Sequence, residues 1–248
     1  MAGKTALITG ATGGIGRATA AAFVSRGANV VLADLDRAAL DEMAAAIGPQ
    51  AAVAVCDVTD EAQTAAAVAL AAKTFGGIDV AVLNAGGGAA TVMGSPQATA
   101  SAVLDTMAKN YATFVNFLCP VIDLMKERGG TIAYTGSPAG TFGLPKSGPY
   151  SAAKAAGRTL FDTCRIELAH TPIHFVALYP GFTYTDGLDA DEVPVKALII
   201  DKDRAVREMV RAIEQGTDHA MFPKRIAWPV RVASLLPESV RRQILKRV

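Results

Sequence analysis

Four things are scarce in this sequence, and each scarcity excludes something. No run reaches 18 apolar residues, which rules out a membrane-spanning helix. Cysteines number only three (Cys56, Cys119 and Cys164), far apart and without metal-ligand spacing, so reduced, mostly buried thiols are expected and no metal site. Net charge is only +1, so no global field points to nucleic acid. The chain passes from Met1 almost directly into an apolar stretch at Thr5. The expectation is therefore a cytoplasmic protein without a secretion signal. Aromatics are also few, at 6% of residues. What is abundant is alanine and glycine, within a composition that is 51% hydrophobic. That suits an α/β fold with closely packed helices. A chain of 248 residues can bury a sizeable core as one domain. No repeat, linker or low-complexity tract divides it.

The pattern alternates strands with helices. TALITG at 5–10 reads as a buried strand, followed by a helix that closes at Gly27. Their junction, TGATGGIG, carries Gly10, Gly13, Gly14 and Gly16 around Thr12 and Ile15. A glycine-rich strand-to-helix turn lets backbone N–H groups approach a pyrophosphate at the helix N-terminus. A second strand at 28–34 ends in Asp34, where a carboxylate accepts hydrogen bonds from ribose hydroxyls and repels a 2′-phosphate. The alternative for Asp34 is a cap on the helix beginning near Arg37. With no basic residue between Gly10 and Gly14, the turn favours NAD over NADP, although Arg37 nearby can soften that preference. A third strand at 51–60 runs into Asp57-Val58-Thr59-Asp60. Asp57 either meets an adenine edge or, like Asp60, caps the next helix, from about Glu61 to Phe75. A fourth strand at 78–88 carries Asn84-Ala85-Gly86. Four such strand–helix units predict a parallel sheet with right-handed crossovers, whose ligand lies beyond the strand C-termini. Asp34, Asp57 and Asn84 share that edge.

Further along, a helical region from about Ala98 to Lys126 contains Asn110, with Pro120 expected to kink or divide it. A fifth strand at 129–137 ends at Ser137. Tyr150 follows thirteen positions later and Lys154 four after that, on one face of a predicted helix. A lysine held there favours the ionised phenol. Moving a tyrosine from a pKa of about 10 to neutrality takes about 4 kcal/mol, roughly what one charge supplies at about 4 Å. Such a pair can transfer protons near pH 7, and Ser137 can stabilise the oxygen that changes charge. A sixth strand at 173–182 ends in Pro180-Gly181, and a helix at 201–216 leads to a short seventh strand at 219–223.

Two segments stand apart. Residues 183–200 fit neither helix nor strand and are expected to form a substrate loop. Phe142, Leu144, Phe182, Tyr184 and Leu188 suggest apolar pocket walls. Residues 224–248 carry seven Lys/Arg against one acid, Glu238, a net +6 that leaves −5 on the remainder. Apolar residues interleave with those cations. This basic amphipathic extension either lies on an anionic membrane surface or packs on its own domain or a sister subunit.

Together, TGATGGIG, Asp34, DVT at 57–59, NAG at 84–86, Asn110, Ser137, YSAAK at 150–154 and PG at 180–181 resemble the short-chain dehydrogenase/reductase family. The resemblance covers residues 4–222. It implies a Rossmann-type doubly wound parallel sheet of about seven strands, helices on both faces, and a catalytic set of Asn110, Ser137, Tyr150 and Lys154. In that scheme Tyr150 is the general acid/base and Ser137 orients the substrate oxygen. Lys154 lowers the tyrosine pKa and holds the nicotinamide ribose, and Asn110 positions a relay water. Gly10, Thr12, Gly13, Gly14, Ile15, Gly16, Asp34, Asp57, Val58, Asn84, Ala85, Gly86, Pro180, Gly181 and Thr183 join Tyr150 and Lys154 around the cofactor. The implied activity is NAD(P)-dependent interconversion of a secondary alcohol and a ketone, in a homodimer or homotetramer. Alternatives are a membrane-associated reductase of a lipid or steroid ketone, and a non-catalytic dinucleotide-binding sensor. Leu83 and Gly136 depart from residues common in relatives.

Overall fold

The computed structural model describes residues 1–87, 91–183 and 199–246. Seven strands form one parallel sheet: β1 (Thr5–Thr9), β2 (Asn29–Asp34), β3 (Ala51–Val55), β4 (Val80–Leu83), β5 (Gly130–Thr135), β6 (Ile173–Pro180) and β7 (His219–Phe222). Their order is β3-β2-β1-β4-β5-β6-β7. The order reverses between β1 and β4, which opens a crevice at the C-terminal edge there. The strand runs read from the sequence are continuously apolar because both faces of the sheet are covered; β1 and β4 are buried at every position.

Helices α1 (Gly14–Val24), α2 (Arg37–Ile47), α3 (Glu61–Phe75), α4 (Ala100–Met107), α5 (Thr113–Met125), α6 (Gly148–Glu167) and α7 (Lys202–Glu214) connect the strands. One core layer gathers Phe23, Leu40 and Met209 on one side of the sheet. The other gathers Phe117, Tyr134 and Phe161. Helix starts follow local chemistry: Asp36 accepts from Ala39 N, Asp60 from Gln63 N and Asp201 from Arg204 N. So α2 is capped by Asp36 and not by Asp34, which is left available at the end of β2.

Three expectations need correction. The long helix at 98–126 is divided at Asn110, not at Pro120. A π-helical turn spans Ala108–Ala112, while α5 runs through Pro120 without interruption. Proline deprives the carbonyl four residues earlier of its donor. That carbonyl, Asn116 O, instead accepts from Thr64 Oγ1 of α3 at 3.1 Å. Secondly, the thiols are not mostly buried: Cys56 is, Cys164 is intermediate and Cys119 is exposed. Thirdly, the third and fourth strands are shorter than read, ending at Val55 and Leu83, because the chain turns there into the crevice. Most of the expected substrate loop, residues 184–198, lies outside the described residues. Beyond β7 the chain forms α8 (Lys224–Leu235) and α9 (Glu238–Leu245). No helix among the described residues is long and apolar enough to cross a membrane.

Candidate active site

Because every strand runs the same way, the singled-out residues collect at one edge of the sheet. At the β1–α1 turn, Gly10 adopts φ +64° and a Cβ there would stand 3.0 Å from Ala85 Cα. A Cβ on Gly16 would collide with the Gly10 carbonyl oxygen, so only glycine lets α1 start this close to β1. Gly13 is the N-cap residue, and Gly14, Ile15 and Gly16 lie in the first turn. Among the described residues no side chain caps α1, and its first turn holds no acid. The N–H groups and positive dipole end of α1 are therefore left without a capping side chain or an acid of their own turn.

Asp34 Oδ2 accepts from Thr12 N at 2.9 Å and from Thr12 Oγ1 at 2.7 Å, so the carboxylate is fixed beside the glycine turn. Its other oxygen accepts from Leu35 N. Arg37, a candidate for softening this negative charge, is engaged by Asp41 at 2.7 Å. Asp57 accepts from Thr59 N and Thr59 Oγ1, which holds its carboxyl below the usual range, while Asp60 takes the capping role. The Val58 carbonyl accepts from Asn116 Nδ2. Asn84 and Ala85 both donate their backbone N–H to Thr9 Oγ1, at 2.9 and 3.0 Å. Thr9 was not singled out from the sequence; the threonine immediately before Gly10 was the available signal.

Asn110 is fully buried. Its Oδ1 accepts from Gly87 N at 3.0 Å, and its Nδ2 donates to Gly87 O and to Thr106 O. Thr106 O is the carbonyl that the backbone N–H of Asn110 would bind in a regular α-helix, so the side chain substitutes for the main chain in the π turn. Gly86, at φ +141°, leaves the space into which Asn110 and Lys154 converge. A Cβ there would lie 2.8 Å from Asn110 Oδ1 and 3.4 Å from Lys154 Nζ.

Lys154 lies one turn after Tyr150 on α6, as expected, but its ammonium does not sit on the phenol oxygen. It donates to the Thr135 carbonyl at the end of β5 at 3.0 Å, and lies 5.7 Å from the Tyr150 ring centroid. Burial pushes Lys154 down to about 8. Burial also pushes the Tyr150 phenol above its ordinary value, and hydrogen bonding to Ser137 opposes this. Burial therefore dominates at both groups, and it moves the phenol in the direction opposite to the one its spacing from Lys154 suggests. Ser137 itself opens a short 3₁₀ turn, Pro138–Gly140, and accepts from Ala139 N.

Gly136, unusual before the serine, has a steric cause. A Cβ would stand 2.8 Å from Tyr179 Cε1 and 3.2 Å from Tyr134 Cε1. At the end of β6, Pro180 closes the strand and Gly181 N donates to Phe222 O at 2.8 Å. Thr183 is buried and donates to Gly181 O. Of the suggested pocket walls, Phe142 and Leu144 are half-buried and Phe182 is exposed; Tyr184 and Leu188 lie outside the described residues. No cluster of potential metal ligands occurs among the described residues.

The family described as short chain dehydrogenase matches residues 4–193. An uncharacterized oxidoreductase of Myxococcus xanthus is 30% identical, covering 96% of this chain and 94% of the relative. A galactitol 2-dehydrogenase of Agrobacterium fabrum is 37% identical, covering 72% of this chain and 70% of its own length. The crystal structure of a short chain dehydrogenase/reductase from Burkholderia phymatum in complex with NAD superposes with a TM-score of 0.84 at 25% identity, covering 94% and 93% of the two chains. The chain is thus an oxidoreductase that belongs to the short-chain dehydrogenase/reductase family.

Proposed function

We propose that the protein interconverts a secondary alcohol and a ketone with NAD as the preferred dinucleotide and NADP as the alternative. The observation that carries this reading is the convergence of Asn110 and Lys154 on Gly86, one turn from Tyr150 and beside Ser137. The residues present fit a dinucleotide. The uncapped start of α1 suits a pyrophosphate, Gly10 and Gly16 remove the side chains that would fill the approach, and Asp34 suits a ribose diol. When bound, the cofactor supplies hydride transfer.

The protein's own residues supply the proton chemistry. A phenol whose pKa burial has raised is neutral at pH 7 and holds its proton on Oη. In the reducing direction Tyr150 donates that proton to the substrate oxygen; in the oxidising direction it accepts the alcohol proton. Ser137 donates a hydrogen bond to the oxygen on which charge develops. Lys154, with a pKa near 8, is positioned to hold positive charge behind Tyr150 and to carry a proton away from it. Asn110, locked by Gly87 and Thr106, fixes the far end of that route. Relatives named galactitol 2-dehydrogenase and sorbitol dehydrogenase support an alcohol carbon as the reacting centre.

Fluorescence titration with NADH and, separately, NADPH tests the reading. Binding of NADH at least tenfold tighter, about 1.4 kcal/mol, is the expected result. Failure to bind either nucleotide would remove the proposal.

A further inference from the structure

Five exposed large hydrophobic residues lie on the C-terminal helical pair. On α8, Ile226 and Ala227 are buried, and Ile226 Cδ1 lies against Gly181. The opposite side exposes Trp228 (68%), Val232 (49%) and Leu235 (86%). These recur at i, i+4 and i+7 and so form one stripe along the helix. On the helical wheel Lys224 and Arg231 border that stripe on one side and Arg225 on the other. On α9, Val240 and Ile244 are exposed at i and i+4, with Arg242 and Lys246 also exposed.

We propose that this pair is a docking surface for the anionic headgroups of a lipid bilayer. Charge complementarity selects that occupant. Residues 224–248 carry a net +6 against −5 for the remaining chain, and Glu238 is their only acid. A second copy docked on this face would bring two such cationic surfaces together, whereas anionic headgroups neutralise the border cations as the apolar stripe enters the interface. Tryptophan suits that depth, with its ring at the headgroup level. The surface also adjoins the site: the Arg241 guanidinium lies 5.4 Å over the ring of Phe142, in the segment between Ser137 and Tyr150. A corollary, resting on the catalytic reading, is that lipid-soluble alcohols or ketones reach the site from the bilayer.

Trp228 is the sole tryptophan, so its emission reports this surface directly. The test uses the full chain, without nucleotide or substrate, and vesicles of phosphatidylglycerol with phosphatidylcholine or of phosphatidylcholine alone. Its outcome is independent of catalysis. A blue shift and co-sedimentation with the anionic vesicles alone are expected. Both should weaken near 1 M salt, where the screening length falls to about 3 Å. Arg231→Glu with Arg242→Glu should weaken partition by at least about tenfold. Leu235→Asp should weaken it too, with an unchanged melting temperature. Equal binding to neutral vesicles, or none, overturns the proposal. So does a Trp228 blue shift that grows with protein concentration in the absence of lipid, which would assign the surface to a second copy.

Discussion

The Asp34 carboxylate is held against the glycine turn by Thr12, which donates both its backbone N–H and its hydroxyl to the same oxygen. The negative charge at the end of β2 is thereby fixed in place, and the nearby Arg37 is diverted to Asp41. Asp34→Ala removes the charge that repels a 2′-phosphate. The ratio of NADPH to NADH affinity should move at least tenfold towards NADPH, about 1.4 kcal/mol. Thr12→Val, which removes one anchor only, should move it less. Parallel titrations of the three proteins check both.

Lys154 is buried, which disfavours its charged form. Its pKa is lowered by burial from 10.5 to about 8, so the folded state binds its proton less well than the unfolded chain. Between those values the unfolded state carries more protons, and stability from this group rises with pH across the window. Below it, the full penalty is present. Lys154→Met should therefore stabilise the protein at pH 7 by about 1–3 kcal/mol, after loss of the bond to Thr135 O, and abolish the rise above pH 8. Activity should fall by about 10²-fold or more. Denaturant melts at a series of pH values, with activity measured beside them, decide this.

Gly136→Ser should destabilise by about 1–3 kcal/mol, because its Cβ enters the Tyr179 ring. Combined with Tyr179→Leu, the cost of the serine should largely disappear. A double-mutant cycle by urea denaturation measures the coupling.

Much of this architecture is legible in the sequence. The strands at Thr5, Asn29 and Val80 announce themselves as short apolar runs between turn residues, and glycine spacing marks the crevice. The division of the long helix was not legible. Pro120 is the obvious breaker, yet its orphaned acceptor is satisfied by Thr64, 52 positions earlier in the chain. Asn110 looks like any polar helix residue until Gly87 is brought beside it by the sheet. The i,i+4 spacing of Tyr150 and Lys154 gave their shared face, but not the Thr135 carbonyl that draws the ammonium away. Long-range partners decide each of these, and local sequence does not encode them. By contrast, Asp36, Asp60 and Asp201 cap helices through neighbours three residues on.

The most direct test of the central claim is Tyr150→Phe. The variant keeps the ring and removes only the Oη that carries the proton. Initial rates of NADH formation over a panel of secondary alcohols, sugar alcohols included, would be compared with the unaltered protein, alongside NADH titrations. The account predicts turnover reduced by about 10²–10⁴-fold with NADH affinity within about twofold. Turnover near the unaltered rate, with nucleotide still bound, would contradict it.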